Sequence, residues 1–599
     1  MASPATTHTA VRRPLDALTF GIAGPPALTG VVADHLRRLG AGARDGGGED
    51  ITLGGGGFTP VTARTAWGAA GSGVDDEATA QAVTGVMAVH GRRHGAPRGL
   101  GVDHLAAATG VLTVQGLLAG LVGQARGGPA APVRTTADRA GLLTVSQYLA
   151  AAGADEPEAV EPAPGGPPFA SADGVLFELE TLDPGAWAAF WRALEAPAEA
   201  IRAGWRPFQF RYATACAPLP EILHEVTRRH SWARLGRAAG ASGAEVCRLR
   251  TLAERAGEDD GADPWTLRAL GAGHGASAPA PPRPHGPEAG QPEAGRPLAG
   301  LTVLEAGRRI QAPLAAHLLG LLGARVIRIE PPDGDPLRGM PPACSGVSAR
   351  WLALNRGKEA TEIDIKSPDD RRRLRELVAE ADVFLHNWAP GKAAGLGLDA
   401  EHLAAVNPSL VYAYTGGWAD RLDDAPMGTD FMVQARTGVG EAVHPADEPP
   451  APSLMTLLDV LGGLHGTEAV LAGILLRERT GHGVRVDSSL LGAADTLLAP
   501  TLRRAAAGGD PRRPAGFRHP LATADGWIAP ADDSARAAAA YEVRGMCTED
   551  ALHRLRSDGL TATAVSTDLS ALPHDPRLSG SISRDAHGAL AVPDPWSFV

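Results

Sequence analysis

The sequence predicts an α/β protein built from two related halves, and three observations lead there. Residues 14–43 read as strand, turn and helix: LTFGIAG, then PPALTGVVADHLRRLGAGA. Residues 297–324 (PLAGLTVLEAGRRIQAPLAAHLLGLLGA) repeat that pattern and align without gaps on residues 14–41 (PLDALTFGIAGPPALTGVVADHLRRLGA), an offset of 283 from Pro14 to Pro297. Between them lies GASAPAPPRPHGPEAGQPEAGRP, whose proline and glycine content marks a linker. The expected division is a loose tail over 1–13, a first copy over 14–274, a linker over 275–296 and a second copy over 297–599.

More matches follow in the same order. Gln434–Val439 matches Gln81–Val86, and Leu471-Ala472-Gly473 matches Leu118-Ala119-Gly120, both 353 residues apart; Thr523–Gly526 matches Ser171–Gly174 at 352. A period this long means two related domains, not a solenoid. The offset grows from 283 to 353, so the first copy lacks about 70 residues, corresponding to the charged stretch 330–400.

The remaining elements follow from local pattern. Residues 44–75 are glycine-rich; 106–120 (AAATGVLTVQGLLAG) form an apolar helix; 156–168 form a loop. Residues 173–254 hold a strand over 175–179 and amphipathic helices, with Trp187, Phe190, Trp191 and Leu194 on one face. In LLDVLGGLHGTEAVLAGILLRERTGHGVRVDSSL (457–490), apolar residues at helical spacing follow Asp459, Gly462 and Gly463; Gly481 and Gly483 stop the helix before a short strand over 484–486. A carboxylate just before a helix meets unpaired N–H groups and the positive end of the dipole, which favours the ionised form a nucleophile needs. An ordinary N-cap is the plainer alternative. At the matching position of the first copy stands Ala106.

Composition excludes several classes. The 599 residues carry a net charge of −12 with no long basic run, which argues against nucleic acid as a partner. The four cysteines (Cys216, Cys247, Cys344, Cys547) form no CxxC pair, so no metal and no disulfide framework is expected, and a reducing cytosol suits them. The N-terminus lacks the apolar core of a signal peptide, and no uncharged apolar run is expected to reach transmembrane length, 469–476 being too short, so the expectation is a cytoplasmic protein with no membrane partner.

The second copy resembles the class III CoA-transferases, the family of formyl-CoA and carnitine CoA-transferases and of α-methylacyl-CoA racemase. The resemblance is carried by 297–338, by LALNRGKEATEIDIKSPDD (352–370), ADVFLHNWAPG (381–391), DFMVQARTG (430–438) and 459–490, and more weakly by the first copy. It implies halves that each hold a Rossmann-like domain plus a smaller one, interlocked as a pseudo-dimer within one chain that needs no second copy and is expected to be monomeric. It implies that Asp459 is the catalytic nucleophile, with backbone N–H groups near Gly462 and Gly463 stabilising oxyanions. It places Ile310, Gln311 and Ala312 along the pantetheine and base, Arg328, Arg338, Arg356 and Lys358 around the phosphates, and Asn387 and Trp388 beside the nucleotide.

The implied reaction moves CoA from an acyl-CoA to a free carboxylic acid, with coenzyme A as substrate and no tightly bound cofactor. The alternatives are a racemase of the same family and a non-catalytic CoA-binding scaffold. The racemase branch uses a histidine where this sequence has Thr429, and a hydroxyl is a poor proton shuttle at neutral pH. The family's PGxxxRLG turn departs here, with Gly395 in place of arginine and Lys392 as a substitute; the glycine-rich loop that follows the nucleophile in formyl-CoA transferases is not found after Asp459. His465 is read as packing, or as supporting the site from behind the residues that touch the ligand, since nothing pairs it with a base partner.

Overall fold

A computed structural model describes residues 12–44, 48–258, 260–270, 290–578 and 580–599. Most of the expected tail and linker, 1–11 and 275–289, lies outside these described residues.

Each half contributes a sheet. In the second half the strands Glu359–Glu362, Arg325–Glu330, Thr302–Ala306, Val383–His386, Val411–Gly416 and Val484–Ser489 pair in that order, all parallel. Helices such as Gln311–Leu321 and Pro368–Glu380 make the crossovers that parallel pairing requires. In the first half the order is Gly42–Ala43, Leu18–Gly21, Ile51–Gly55, Phe58–Ala66 and Val133–Thr136. The place held by parallel Val383–His386 in the second half is taken there by Ile51–Gly55, antiparallel to both neighbours. The glycine-rich segment explains the difference: Gly55, Gly56 and Gly57 all have positive φ and turn a hairpin between Ile51–Gly55 and Phe58–Ala66. With the 330–400 equivalent missing, the chain is too short for a crossover and returns antiparallel.

Each half ends on the other half's sheet. Trp265–Ala269 pairs antiparallel with Val484–Ser489, and Trp596–Phe598 pairs antiparallel with Val133–Thr136. Both cover an edge that would otherwise present unpaired backbone groups. The Trp596 indole donates to Leu112 O at 2.7 Å, so the last strand is anchored into the first half's core as well.

The helices His104–Ala125 and Leu457–Thr480 pack against each other at the centre, starting 353 residues apart as the sequence matches do. Both are apolar on all faces and buried on nearly all, as such helices must be. By length and composition both could cross a membrane, a property that the sequence reading overlooked; 100% and 94% of their apolar windows are enclosed by protein. Gln115 Nε2 donates to Leu464 O at 2.7 Å across this contact, and His35 Nδ1 lies 3.0 Å from Glu468 of the other half. His465 packs against His35 and Trp265 in the same core, as its reading as a packing residue anticipates.

Two three-stranded antiparallel units, and the two-stranded pairs Ala343–Cys344 with Val347–Ser348 and Ser583–Arg584 with Leu590–Ala591, complete the described sheets. Phe169–Ala170, Leu176–Glu180 and Glu245–Arg248 form one sheet with four helices, whose core includes Trp187, Phe190, Trp191 and Leu194. Leu521–Ala522, Trp527–Pro530 and Ala562–Ala564 form the other, with the short helices Ala535–Ala538 and Thr548–Ser557.

Candidate active site

The helix Leu457–Thr480 begins earlier than its sequence pattern indicates, so Asp459 is its third residue and not a residue before it. Thr456, at the N-cap, has φ 55° and ψ 47° and supplies no side-chain cap. Asp430 does so instead. Its Oδ2 accepts the Asp459 N–H at 2.7 Å, and the Leu458 N–H also donates to this carboxyl group. Gln434 Nε2 donates to Asp430 and, at 2.9 Å, to Ser453 O, while Gln434 Oε1 accepts the Ser453 N–H at 2.8 Å. The start of the helix is thus held by side chains from a neighbouring helix, Asp430–Arg436.

Asp459 sits on the wall of a cavity of about 690 Å³. Burial raises its pKa well above the usual aspartate value, the nearby Asp430 charge raises it further, and Arg309 opposes both. The expectation that its helix position keeps it ionised is therefore corrected: the cost of desolvation and a neighbouring carboxylate outweigh the helix terminus here. Burial likewise pushes Asp430 up to about 6.

Of the residues the sequence places at the ligand, Ile310, Gln311, Asn387 and Trp388 line this cavity. Asn387 ties two loops together, accepting the Arg308 N–H at 2.9 Å and donating to Arg308 O at 2.9 Å. Ala312 is fully buried and is not among the residues that line this cavity. Four expected phosphate cations lie elsewhere. Arg328 is buried against Glu305, Glu330 and Asp335, and the Lys358 ammonium is 2.7 Å from Glu305. Arg338 stacks 3.8 Å from the Trp351 ring centroid and pairs with Glu330, and Arg356 donates to Val592 O at 3.2 Å. Arg338, Arg356 and Lys358 border a separate cleft of about 510 Å³. The cause is internal: Glu305, Glu330 and Asp335 are buried carboxylates that require cations.

The exposed cations in the Asp459 cavity are Arg308, Arg309 and Lys392. Arg308 and Arg309 directly precede Ile310 in GRRIQA, a signal that was available in the sequence and passed over. Lys392 fits the substitution expected for it. A further wall is the loop between Gly416 and Thr429, pinched at its base where a Cβ on Gly417 would meet Gly428 Cα at 2.4 Å. The first half supplies Glu180, Leu182, Gln209, Arg211, Tyr212 and Glu245. Arg211 pairs with Glu180 at 3.1 Å and stacks between Phe208 and Phe431, while Thr429 Oγ1 donates to Glu180 Oε2 at 2.8 Å. No local motif marks these residues, because the second-half residues that they meet are distant in the chain, as Thr429 is from Glu180 and Phe431 from Arg211.

Gly462 and Gly463 serve a different purpose from the expected one. As the sixth and seventh helix residues they donate their N–H groups within the helix, so neither is free for an oxyanion. A Cβ on Gly463 would lie 2.9 Å from Gln311 O and 3.0 Å from Leu314 Cδ2, and one on Gly462 would lie 2.8 Å from Gln311 Nε2. These glycines let the helix approach Gln311–Leu321. Gly463→Ala is expected to cost about 1–3 kcal/mol by overpacking, partly offset by up to ~1 kcal/mol of helix propensity. Thermal unfolding should show the loss; an unchanged midpoint with a selective loss of turnover would favour the oxyanion role.

The first half repeats the cap without a counterpart of the Asp459 carboxyl group. Glu77 accepts the N–H groups of Leu105 at 2.9 Å and Ala106 at 2.8 Å, Gln81 Nε2 donates to Glu77 at 2.9 Å, and Gln81 Oε1 accepts the Leu100 N–H at 2.8 Å. Every partner stands 353 positions before its counterpart: Glu77 for Asp430, Gln81 for Gln434, Leu100 for Ser453, Ala106 for Asp459.

A family model described as CoA-transferase family III matches residues 62–284 and 298–555. Among curated proteins, the chain is 32% identical over 273 residues to acetyl-CoA:oxalate CoA-transferase of Acetobacter aceti, covering 45% of this chain and 68% of that one. It is 34% identical over 205 residues to succinyl-CoA:glutarate CoA-transferase of Mus musculus, covering 33% and 46%. The match to the mouse protein thus spans about half of its length. Among solved structures, a CAIB/BAIF family protein from Brucella suis matches with a TM-score of 0.45 and 28% identity over 50% of this chain and 91% of that one.

Proposed function

The chain belongs to CoA-transferase family III, and we propose that it moves CoA from an acyl-CoA to a free carboxylic acid through Asp459. The observation that carries this reading is Asp459 at the wall of a cavity that Ile310, Gln311, Asn387 and Trp388 also line. The Asp459 carboxylate attacks the thioester carbonyl, the CoA thiolate leaves, and a mixed anhydride forms. The thiolate attacks the Asp459 carbonyl and releases the first acid, leaving an Asp459–CoA thioester. The acceptor carboxylate then runs the steps in reverse, so the thioester's free energy is conserved. Arg308, Arg309 and Lys392 are the cations placed to receive the phosphates of CoA or the carboxylates of donor and acceptor. Mass spectrometry after incubation with a panel of acyl-CoAs tests the proposal: a protein-bound CoA adduct is expected, and its absence with every donor would reject it.

We further propose that the two halves form an interlocked pseudo-dimer with one catalytic site, acting as a single chain in the cytosol. The exchanged edge strands and the first-half residues in the cavity support this. One CoA per chain is expected by calorimetry, because the first half lacks the equivalent of residues 330–400 and with it counterparts of the cavity residues Asn387, Trp388 and Lys392; two equivalent sites would contradict it.

The racemase reading is weaker. No histidine is among the residues lining the cavity, and the Thr429 hydroxyl is engaged by Glu180. The proposed chemistry also sets a pH dependence. Asp459 must lose its proton to attack, and its raised pKa means that adduct formation accelerates as pH rises through that value. Arg309→Leu removes the opposing cation and should move the midpoint to higher pH. A midpoint that stays fixed or falls in single-turnover measurements would remove Arg309 from this role.

A further inference from the structure

Away from the cavity, four histidines and a glutamate meet where the halves join. His90 and His94 are four residues apart on the first half; His444, Glu448 and His519 come from the second. His90 and His94 are close in sequence, but the residues that they meet are not, and a search confined to cysteine spacing does not find the group. The ring centroids of His90, His94 and His444 form a triangle with sides of 5.5, 5.7 and 6.2 Å. Imidazoles bound to one tetrahedral zinc, at Zn–N of about 2.0–2.1 Å, place their centroids roughly 5 Å apart. Donor atoms of His94, His444 and Glu448 already lie within 4.8 Å of one another.

The remaining valences are arranged for a cation. His444 Nδ1 is 2.8 Å from Glu448 Oε2, and His90 Nδ1 is 3.0 Å from Ser453 Oγ. The opposite nitrogen of each ring, Nε2, is buried with no hydrogen-bond partner, on side chains that are 1–2% exposed. A histidine whose Nδ1 is held by a carboxylate or hydroxyl and whose Nε2 is left over is the usual arrangement of a metal ligand with its supporting hydrogen bond. His94 is exposed and gives an entry path. Arg98 lies 3.3 Å and His519 2.8 Å from Glu448 Oε1, and Arg93 is turned to the carbonyls of Pro452 and Pro167.

We propose that His90, His94 and His444, with Ser453 and Glu448 holding the rings of His90 and His444 in place, bind one divalent cation of the zinc class that ties the two halves together. The site also reaches the catalytic helix. Ser453, which holds His90, is bonded through its backbone to Gln434, which holds Asp430, the cap of the Asp459 helix.

A second group, His35, His465 and Glu468, has the right donors but a poorer case: both Glu468 oxygens already face His35 Nδ1 at 3.0 and 3.1 Å, and every member is enclosed. It serves as the control. The full chain is stripped with a chelator, loaded with Zn²⁺ and gel-filtered, and retained zinc is counted by mass spectrometry; Co²⁺ loading is followed by visible absorption. One zinc per chain is expected, with a tetrahedral Co²⁺ spectrum and a higher thermal midpoint in zinc. His94→Ala, at an exposed position, and His444→Gln should each weaken binding at least tenfold, and His465→Ala should leave it unchanged. Failure to retain stoichiometric zinc, or retention that survives His94→Ala and His444→Gln, would overturn the proposal, as would loss of the metal in His465→Ala with both other variants still binding. None of these readouts depends on the transfer reaction.

Discussion

Asp459→Ala is expected to abolish CoA transfer, by about 10⁴-fold or more, while CoA affinity changes only a few-fold. The size follows from removing a nucleophile for which no other group can substitute. Its closest carboxylate, Asp430, is committed through both oxygens to the helix start and to Gln434. Affinity should survive because the candidate ligand contacts at Arg308, Arg309, Asn387 and Trp388 come from other segments. Stability should hold or improve, since the variant removes a carboxyl group whose charged form is disfavoured by burial and by Asp430. Wild-type and variant protein are mixed with an acyl-CoA and compared by intact mass: the wild type should gain a CoA adduct and the variant none. Turnover within tenfold of wild type in a folded variant would discard Asp459 as the nucleophile.

The elements that carry local periodicity were legible in the sequence. The paired openings, the core helices and the aromatic face of Trp187, Phe190 and Trp191 stand close to where their patterns put them. What could not be read was decided by partners distant in sequence. Arg328 and Lys358 look like free cations until Glu305 is placed beside them. Gly462 and Gly463 look like an oxyanion loop until Gln311 fills the space over them. The ionisation of Asp459 depends on Asp430, 29 residues earlier, and on enclosure that no local pattern encodes. Family resemblance singled out Asp459 but said nothing of the first half's contribution to its surroundings, because Glu180, Arg211 and Tyr212 lie in a segment with weak resemblance and no motif.

That contribution sets the second large effect. Residues 297–599 expressed alone should be inactive and prone to aggregate, and co-expression with residues 1–274 should restore activity. The helix Leu457–Thr480 is buried nearly throughout, and part of its cover is His104–Ala125 of the other half. Separation exposes that face together with the edge of Val484–Ser489, whose antiparallel partner Trp265–Ala269 belongs to the first half. Each Leu or Val returned to water costs about 1.5–3 kcal/mol, so losing several exceeds the usual stability of a domain, and apolar patches of several hundred Å² favour association. The buried contact between His35 and Glu468 would be lost as well. The site suffers in parallel: without the first half the cavity loses Glu180, Arg211, Tyr212 and Glu245, and Phe431 loses the guanidinium stacked on it. Size-exclusion chromatography and transfer assays on the separate and co-expressed pieces distinguish the outcomes. Activity only on co-expression makes the first half a structural partner that shapes the Asp459 site without a nucleophile of its own. A soluble, monomeric and fully active 297–599 would mean that the exchanged strands and the shared cavity wall are dispensable, and the interlocked arrangement would have no functional role.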